Sequence, residues 1–474
     1  MVACAVLHAV VVGAVGAVPA GAERSSAAPA EADAPARWDP GLRGLVRFVE
    51  RERNLSFDHP IEVEFLDDPE FVAALAVEET AQDQKLDRLY ADDLHALGLV
   101  GPRFDLAEAV DELDATGVYG FYDDEPEAMT VRGRELDDVV VRATVVHELT
   151  HALQDQAFDF RALRRSAKSS GADYARTALI EGDATWVEEA YVATLPVRDQ
   201  DEYYAQFDLT AEPVDGPALT PAPAIDLLLA TPYSLGYSFV EYLQSTGGTR
   251  AVDQAFRDPP PSDEHIVDPV SFVGNEDPDP PAKPKLGPGE VRRGGADEIG
   301  VVLLYFVLAA RVDPRAALAA ATGWKGDTYV GFARGDVPCI RAAIRTDSGV
   351  EARELAAALG EWAGPDPQDA VSVARRGSAV HLDACGVADA PLPTEEALLE
   401  AADVLSARFL VYEGIEDASA TLTPTDVRCI VDLQITDPVV RELLFTPEIT
   451  PQEQRRLDRR GSDLSERCGL VADG

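Results

Sequence analysis

The sequence predicts an α+β protein in which short strands and helices surround a helix that carries two histidines. Residues 60 to 66 alternate apolar and acidic side chains, which is typical of a half-buried strand. Residues 118 to 132 form two short strand patterns around a turn at residues 123 to 126, and residues 141 to 153 place apolar side chains at helical spacing. An apolar fraction of 46% and a charged fraction of 27% are those of an ordinary globular protein.

The first residues predict export. Residues 2 to 18 contain no acidic residue and no Lys or Arg, and the small residues after them end at Ala22 with the spacing that signal peptidase recognises. We therefore expect a signal peptide over residues 1 to 22 and a secreted protein, with an uncleaved membrane anchor as the alternative. Residues 23 to 38 are mostly Ala, Pro, Ser and Glu, so we expect a disordered linker that buries too little apolar surface to order itself.

The main folded domain is expected over residues 39 to 390. It opens with Asp39 and Pro40, which suit the cap and first turn of a helix that reaches about Arg53. Periodicity then predicts, in order, the strand over 60 to 66, a helical stretch over 68 to 97, the hairpin over 118 to 132, the histidine-bearing helix capped by Asp137 or Asp138, a helix over 174 to 193 and a helix over 232 to 244.

In the second half of the chain, Pro- and Gly-rich stretches and apolar runs predict the loops and helices. Residues 258 to 295 are rich in Pro, Gly and charge, so we expect a long surface loop or lid. The apolar run over 299 to 310 is too short to span a membrane and is predicted to be a buried helix. Amphipathic helical segments such as residues 350 to 362 follow, and residues 391 to 474 are expected to form a small, mostly helical region.

Four cysteines remain after the predicted signal peptide, all in the last third of the chain. They are Cys339, Cys385, Cys429 and Cys468. An even number in an exported chain predicts two disulfide bonds, and of the three possible pairings the one that closes local loops is the first with the second and the third with the fourth. A zinc site made of all four thiolates is the alternative, and it lacks the usual CxxC spacing.

The charge of the chain restricts its partners. A formal net charge of -44 and a pI near 4.3 argue against any function that grips phosphate backbones or anionic lipid. We expect no nucleic-acid partner and no membrane partner beyond the possible N-terminal anchor. Solubility in an extracellular setting explains this much acid, and an acidic recognition surface is the alternative.

The motif over residues 147 to 151, HELTH, predicts a metal site. His147 and His151 are four residues apart and therefore lie on one face of a helix, where both imidazoles can meet one ion. Glu148 lies beside them, where it can take a proton from the attacking water and pass it to a leaving group. The alternative is a chance match, against which the position of the motif within a periodic helix argues.

A catalytic zinc usually has three protein ligands, so a third donor is needed. The leading candidate is Glu181, an acidic residue in the apolar helical segment ALIEGDA over residues 178 to 184. Gly182 follows it and lets a neighbouring backbone or ligand come close. The alternative is an exposed glutamate on an amphipathic helix.

The sequences HELTHALQDQ, over residues 147 to 156, and ALIEGDA resemble the gluzincin metallopeptidases, especially secreted bacterial proteins of that type whose substrates are unassigned. The resemblance extends over roughly residues 42 to 362, and its specific part is confined to these two motifs. It implies a mixed sheet with active-site helices, one zinc per chain with Glu181 as third ligand, Glu148 as base, and a peptide or protein substrate. It also implies that the substrate backbone lies along an edge strand, such as residues 128 to 132.

The sequence departs from the thermolysin pattern at Thr185, where that pattern has an acidic residue four positions after the ligand. The sequence therefore leaves undecided which residues orient the imidazole N–H groups. Asp155 and Asp183 are candidates, and the alternative is that these side chains are simply solvated. Tyr233, in TPYSLG, resembles the Tyr-x-x-Gly of related families and is a candidate for stabilising the oxyanion, unless it is a core tyrosine. His265 is a weaker candidate for the same role.

Two functions from different classes remain. The first is a secreted zinc-dependent hydrolase that cleaves peptide bonds, and the second is a catalytically inactive secreted binding protein that retains the metallopeptidase fold. Glu148 favours the first, because a pure binding site has no use for a base at that position. His59, His95 and His381 have no partner at a spacing that predicts a site.

Overall fold

The computed structural model describes residues 35–75, 80–134, 136, 138–205, 223–364, 370–386, 392–416, 424–437, 439–440 and 450–469. The chain divides into two compact units. The N-terminal unit comprises the described residues between 35 and 94 and between 100 and 262, and the C-terminal unit comprises those between 95 and 99 and from 263 to 469. The predicted signal peptide, residues 23 to 34 of the predicted linker and the predicted boundary at 390 and 391 lie outside the described residues, so these limits stay predictions.

The N-terminal unit mixes helices with a small sheet. Its elements are α1 (Arg43–Arg53), β1 (Glu62–Leu66), α2 (Asp68–Leu75), α3 (Asp83–Ala96, whose last two residues belong to the C-terminal unit), α4 (Leu106–Gly117), β2 (Gly120–Asp123), β3 (Ala128–Arg132), α5 (Val139–Phe158), α6 (Phe160–Ser166), α7 (Ser170–Val192), α8 (Val197–Ala205), α9 (Pro223–Gly247) and α10 (Thr249–Arg257). The first helix, the first strand, the hairpin and the helices that carry both motifs are as predicted, whereas the expected stretch over 68 to 97 forms two helices.

The sheet of this unit has the strand order β1-β3-β2. The β2–β3 hairpin is antiparallel, and β1 pairs with β3 in parallel, from Glu62 opposite Ala128 to Leu66 opposite Arg132. The expectation that residues 128 to 132 form an edge strand is therefore wrong. Hairpin patterns in the sequence reveal β2 and β3, but the parallel partner comes from a distant segment and makes β3 the central strand.

Helix α5 begins at a capped end and is buried over most of its length. The side chain of Asp138 accepts a hydrogen bond from the backbone N–H of Val140, which satisfies one of the free donors at the helix start. Of the two predicted caps this is the one in place, since residue 137 lies outside the described residues. Residues 143 to 154 of the helix are all buried, including the polar ones.

Helices α7 and α9 pack backbone against backbone. A Cβ atom on Gly182 would overlap the backbone of Gly236, and one on Gly236 would overlap the carbonyl group of Ala178. The close approach expected at Gly182 is therefore present. Pro232 does not start a helix as predicted but lies inside α9, because the helix already begins at Pro223 and is held by its packing on α7.

The C-terminal unit combines an antiparallel sheet with helices. Its elements are α11 (Glu264–Val267), α12 (Pro269–Val273), β4 (Glu290–Asp297), α13 (Gly300–Ala309), α14 (Pro314–Ala321), β5 (Trp324–Arg334), β6 (Val337–Thr346), α15 (Glu351–Ala363), β7 (Val371–Arg376), β8 (Ala379–Ala384), α16 (Glu395–Glu416), α17 (Pro424–Thr436) and α18 (Pro451–Arg467). The strand order is β4-β5-β6-β8-β7.

Two expectations for this half of the chain need correction. Residues 258 to 295 were expected as a surface loop, but they include α11, α12 and most of β4, and Ser262, His265 and Ser271 are buried. The five-stranded sheet was not predicted at all, because the apolar runs within its strands also fit helices and one of its pairings, β6 with β8, joins strands that are not consecutive. The buried helix expected near residue 300 is confirmed as α13.

Both predicted disulfide bonds are confirmed. Cys339 in β6 is bonded to Cys385, which directly follows β8, and Cys429 in α17 is bonded to Cys468 at the end of α18. The fold is thus α+β, with two sheets and two disulfides in a unit that ends in helices. Within the ranges given above, no helix combines the length and the apolar character that crossing a membrane requires.

Candidate metal centre

One cluster of side chains could hold a metal ion. His147 and His151, one turn apart on α5, face Glu181 on α7, and one ligand atom from each lies within 4.8 Å of the others. The Nε2 atoms of His147 and His151 lie 3.3 and 3.2 Å from the same carboxylate oxygen of Glu181. Among the residues that the structure describes, this is the one group of His, Cys, Asp or Glu side chains with such spacing.

The spacing of these atoms fits a tetrahedral ion. Zinc binds histidine nitrogen and carboxylate oxygen at about 2.0 to 2.1 Å, and two ligands at that distance in a tetrahedron are roughly 3.3 Å apart. The two measured distances from Glu181 to the imidazoles match that value. All three side chains have no exposed surface. The donor set therefore suits a metal ion, and its identity is not fixed by the geometry.

The charges of the cluster also favour a cation. Glu148, Glu181 and Glu188 are buried around His147 and His151. Burial lowers the pKa of His147, but hydrogen bonds to Glu181 and Glu188 outweigh it and raise the pKa to about 10. Although burial alone would raise the pKa of Glu181, the charge of His151 and hydrogen bonds to both imidazoles lower it. Without a metal, protons on the imidazoles compensate the carboxylates, and a divalent ion can replace them.

Glu148 is the unexplained member of the cluster. It is fully buried, and neither carboxylate oxygen has a hydrogen-bond partner among the described atoms. Burial raises its pKa to about 7, against the lowering effect of the His151 and His147 charges. Gly120 in β2 packs on it, since a Cβ there would lie 3.1 Å from Glu148 Cγ and 2.6 Å from Thr144 Cγ2. The carboxylate is thus held in place by packing and left free of protein donors.

Glu188 orients His147 and was not anticipated. Its carboxylate lies 3.0 Å from His147 Nδ1 and accepts a second hydrogen bond, of 2.8 Å, from the hydroxyl of Tyr203 in α8. With Nδ1 donating to this carboxylate, Nε2 is left with a lone pair for the metal. A signal was present in the sequence, because Glu188 comes seven residues after Glu181 and two helical turns bring both to one face of α7.

The environment of His151 is different. Its Nδ1 lies 3.0 Å from Oε1 of Gln154, whose Nε2 donates to Asp183 at 2.8 Å and to the carbonyl oxygen of Ile180 at 3.1 Å. Of the two carboxylates considered for orienting imidazoles, Asp183 therefore acts only through Gln154. Asp155 does not reach an imidazole, and it accepts hydrogen bonds from the Tyr122 hydroxyl and a backbone N–H instead.

Tyr233 lies at the cluster. Its ring stacks on that of His147, with centroids 6.3 Å apart and an interplanar angle of 29°. Burial raises the pKa of Tyr233 well above its usual value, and the charges of Glu181 and Glu148 and a hydrogen bond to Glu181 add to this effect. The hydroxyl therefore stays protonated and can donate a hydrogen bond.

The other histidines that the structure describes lie elsewhere. His265 belongs to the C-terminal unit, where it is buried and its Nε2 lies 2.8 Å from the carbonyl oxygen of Glu276. His59 forms a half-exposed pair with Glu127, and His95 and His381 lie on α3 and β8. Neither His265 nor these three belongs to the His147, His151 and Glu181 group.

Comparison with protein-family models, with curated proteins and with solved structures finds no match to this chain. The function must therefore be argued from the cluster itself. Its established property is a buried arrangement of two histidines and a glutamate that could hold a metal ion.

Proposed function

We propose that this protein is a secreted zinc-dependent hydrolase that cleaves peptide bonds, of the gluzincin type that its two motifs resemble. The observation that carries the proposal is the carboxylate of Glu148, which is buried beside the ligand group with both oxygens unpartnered. A buried carboxylate without donors costs several kcal/mol, so a protein keeps one where it is used. A metal site that serves only structure has no use for such a base.

Zinc is the proposed ion because two imidazoles and one carboxylate are a ligand set that catalytic zinc commonly has. His147, His151 and Glu181 would hold one ion per chain. When bound, the ion supplies Lewis acidity, which polarises the substrate carbonyl and lowers the pKa of water toward about 7.

The residues of the chain then have separate roles. Glu148 takes a proton from the water that attacks the carbonyl carbon and returns it to the leaving nitrogen, so that the C–N bond breaks and no proton is gained or lost overall. Tyr233, protonated and next to the ligand group, donates a hydrogen bond to the oxyanion that develops on the substrate.

The sheet supports an extended peptide as the proposed substrate. Among the described strands, β2 is paired on one side only, with β3, and its residue Gly120 packs on Glu148. A strand with a free edge accepts an extended peptide through backbone hydrogen bonds. We therefore assign the edge role expected for residues 128 to 132 to β2 instead, with the scissile bond of an extended peptide next to Glu148.

One observation favours the second function, a catalytically inactive binding protein with the same fold. His147, Glu148, His151 and Glu181 have no exposed surface, so a substrate reaches them only if neighbouring groups move. An active hydrolase would have to open, whereas a closed metal site would not.

The experiment that separates the two functions measures metal content and peptide turnover in the same preparation. We expect about one zinc per chain and hydrolysis of members of a mixed peptide library, abolished by a chelator and restored by zinc. Zinc at full occupancy with no cleavage across the library would support the binding protein, and absence of bound metal would refute the zinc-dependent hydrolase.

A further inference from the structure

We infer that Arg53, Asp183 and Gln154 are positioning residues that fix the tautomer of His151 and so direct its Nε2 at the metal. The inference rests on the proposed metal site and concerns how this chain builds it. Arg53 lies in α1, far in sequence from both motifs, yet it is almost fully buried and bonded to the network behind His151.

The three residues form a continuous chain of contacts. Arg53 Nε donates to one oxygen of Asp183 at 2.7 Å, and Gln154 Nε2 donates to the same oxygen at 2.8 Å. The other end of the Gln154 amide, Oε1, faces His151 Nδ1 at 3.0 Å. Arg53, Gln154, Asp183 and His151 have at most 1% of their surface exposed, so water does not compete for these bonds.

The chemistry of the acceptors determines which way the amide points. An ionised carboxylate and a backbone carbonyl can only accept hydrogen bonds, and Gln154 meets one of each, from Asp183 and Ile180, at one end of its amide. That end must therefore be the NH2 group. The carbonyl end then faces His151 and can only accept, so the proton of the imidazole must be on Nδ1 and the lone pair on Nε2.

The tautomer of His147 is fixed without an amide whose orientation must itself be held. Glu188 accepts hydrogen bonds whichever way it rotates, and so a carboxylate alone sets the tautomer of His147. An amide can present either a donor or an acceptor, and without a fixed partner Gln154 could turn its NH2 group toward His151. Arg53 holds the carboxylate that prevents this rotation.

The test compares two identical substitutions at the two carboxylates that contact Arg53. Asp183 and Asp253 both pair with Arg53, Asp253 at 3.0 Å from Nη2, but only Asp183 contacts Gln154. Asp183→Asn offers the amide a donor as well as an acceptor, whereas Asp253→Asn removes a similar charge and leaves Gln154 untouched. Zinc affinity is measured by competition with a chromogenic chelator, and the ligand field is read from the visible spectrum of the cobalt form.

We expect Asp183→Asn to weaken zinc binding about 10- to 100-fold, the usual effect of losing a partner behind a metal-binding histidine, and to change the cobalt spectrum. Asp253→Asn should bind zinc within about threefold of wild type with an unchanged spectrum. Equal effects of the two substitutions would overturn the inference, because an ion pair that serves only to stabilise the fold would lose about as much from either change.

A second variant covers the case in which Asp183→Asn fails to fold. Gln154→Met keeps the Arg53–Asp183 pair and removes the amide, so we expect the same loss of zinc affinity and the same spectral change. Wild-type affinity in Gln154→Met would overturn the role of the amide. If wild-type protein binds neither zinc nor cobalt, the metal site itself is refuted. If wild-type protein binds metal and all the variants bind it equally well, only the positioning role is refuted.

Discussion

One buried carboxylate in each unit shows two opposite ways of burying a polar group. In the C-terminal unit, Asp327 accepts hydrogen bonds from the backbone N–H groups of Ile299 and Gly300 and from the indole N–H of Trp324, at 2.9 to 3.0 Å. In the N-terminal unit, Glu148 is as deeply buried and has no such donor for either oxygen. The fold therefore supplies donors to the first carboxylate, whereas no described atom donates to the second, and burying a polar group without such a bond is costly.

The units also differ in what ties distant segments together. The C-terminal unit carries both disulfide bonds, which join residues 46 and 39 positions apart in the sequence. The N-terminal unit has no cysteine pair among its described residues and brings α5 and α7 together at His147, His151 and Glu181. Two covalent bonds join distant segments in the C-terminal unit, and a metal ion is proposed to join α5 and α7 in the N-terminal unit.

The largest expected effect tests the contrast between the two carboxylates. Glu148→Gln keeps the shape of the side chain and removes the base, so peptide hydrolysis should fall by about 10² to 10⁴ while zinc stays bound. Asp327→Asn is the matched change in the C-terminal unit, where an amide NH2 would meet backbone donors. It should lower the free energy of unfolding by about 1 to 3 kcal/mol and leave the turnover of folded protein unchanged.

Turnover, bound zinc and unfolding by urea are measured for both variants. Glu148→Gln protein that cleaves peptides as fast as wild type with zinc bound would rule out Glu148 as the base. Loss of stability in that variant equal to that of Asp327→Asn would mean that the two carboxylates do not differ as proposed.

The next effect concerns the ligand group itself. Glu181→Ala should lower zinc affinity by more than about 100-fold, because losing even a partner behind a ligand costs about 10- to 100-fold. Glu189→Ala is the control on the same helix, since Glu189 bonds the hydroxyl of Tyr204 and is not part of the ligand group. Zinc per chain is determined at limiting metal, and full occupancy in Glu181→Ala would exclude Glu181 as a ligand.

A third prediction separates the two kinds of cross-link. Zinc at a free concentration 1,000-fold above its dissociation constant should stabilise the N-terminal unit by about 4 kcal/mol, and a chelator should remove this stabilisation. Reduction should instead destabilise the C-terminal unit, by about 4 kcal/mol for each loop of this length. Hydrogen exchange read on peptides from α5 and from β6 assigns each effect. If chelation alone accelerated hydrogen exchange equally in α5 and β6, the metal and the disulfide bonds would not stabilise the two units separately.

The sequence predicts the placement of His147 and His151 well because their spacing is local. His147 and His151 are fixed relative to each other by one helical turn, and a capped, periodic helix around them is readable from neighbouring residues. Glu188 shares a face of α7 with Glu181, but a glutamate or glutamine on a helix, such as Glu188 or Gln154, looks the same in the sequence whether it faces solvent or an imidazole. The buried partners that decide its direction come from α1, α7 and α8.

The sheet of the C-terminal unit was missed although part of its signal is local. Two hairpins turn through two residues each, Gly335 with Asp336 and Gly377 with Ser378, and both dipeptides are typical hairpin turns between alternating strands. The order of the strands is another matter. β8 lies between β6 and β7, and no local pattern encodes its pairing with β6. The parallel pairing of β3 with β1 was missed for the same reason, because the two strands are far apart in the sequence.

The smallest expected effect tests how the fold places Glu181. Gly182→Ala adds a methyl group where α7 and α9 touch, at the backbone of Gly236, and such overpacking costs about 1 to 3 kcal/mol. Gly360→Ala is the same change in α15 of the C-terminal unit, where the new Cβ meets nothing within 4 Å beyond its chain neighbours and the nearby backbone of its own helix.

That second change should stabilise the protein by roughly 1 kcal/mol through helix propensity alone. Unfolding by urea gives the sign of each effect, and zinc affinity shows whether separating α7 from α9 moves Glu181 away from the histidines. If Gly182→Ala is as stable as Gly360→Ala and binds zinc equally well, the helix contact does not position the ligand. Opposite signs, with zinc binding weakened only in Gly182→Ala, would tie the third ligand to this one glycine contact.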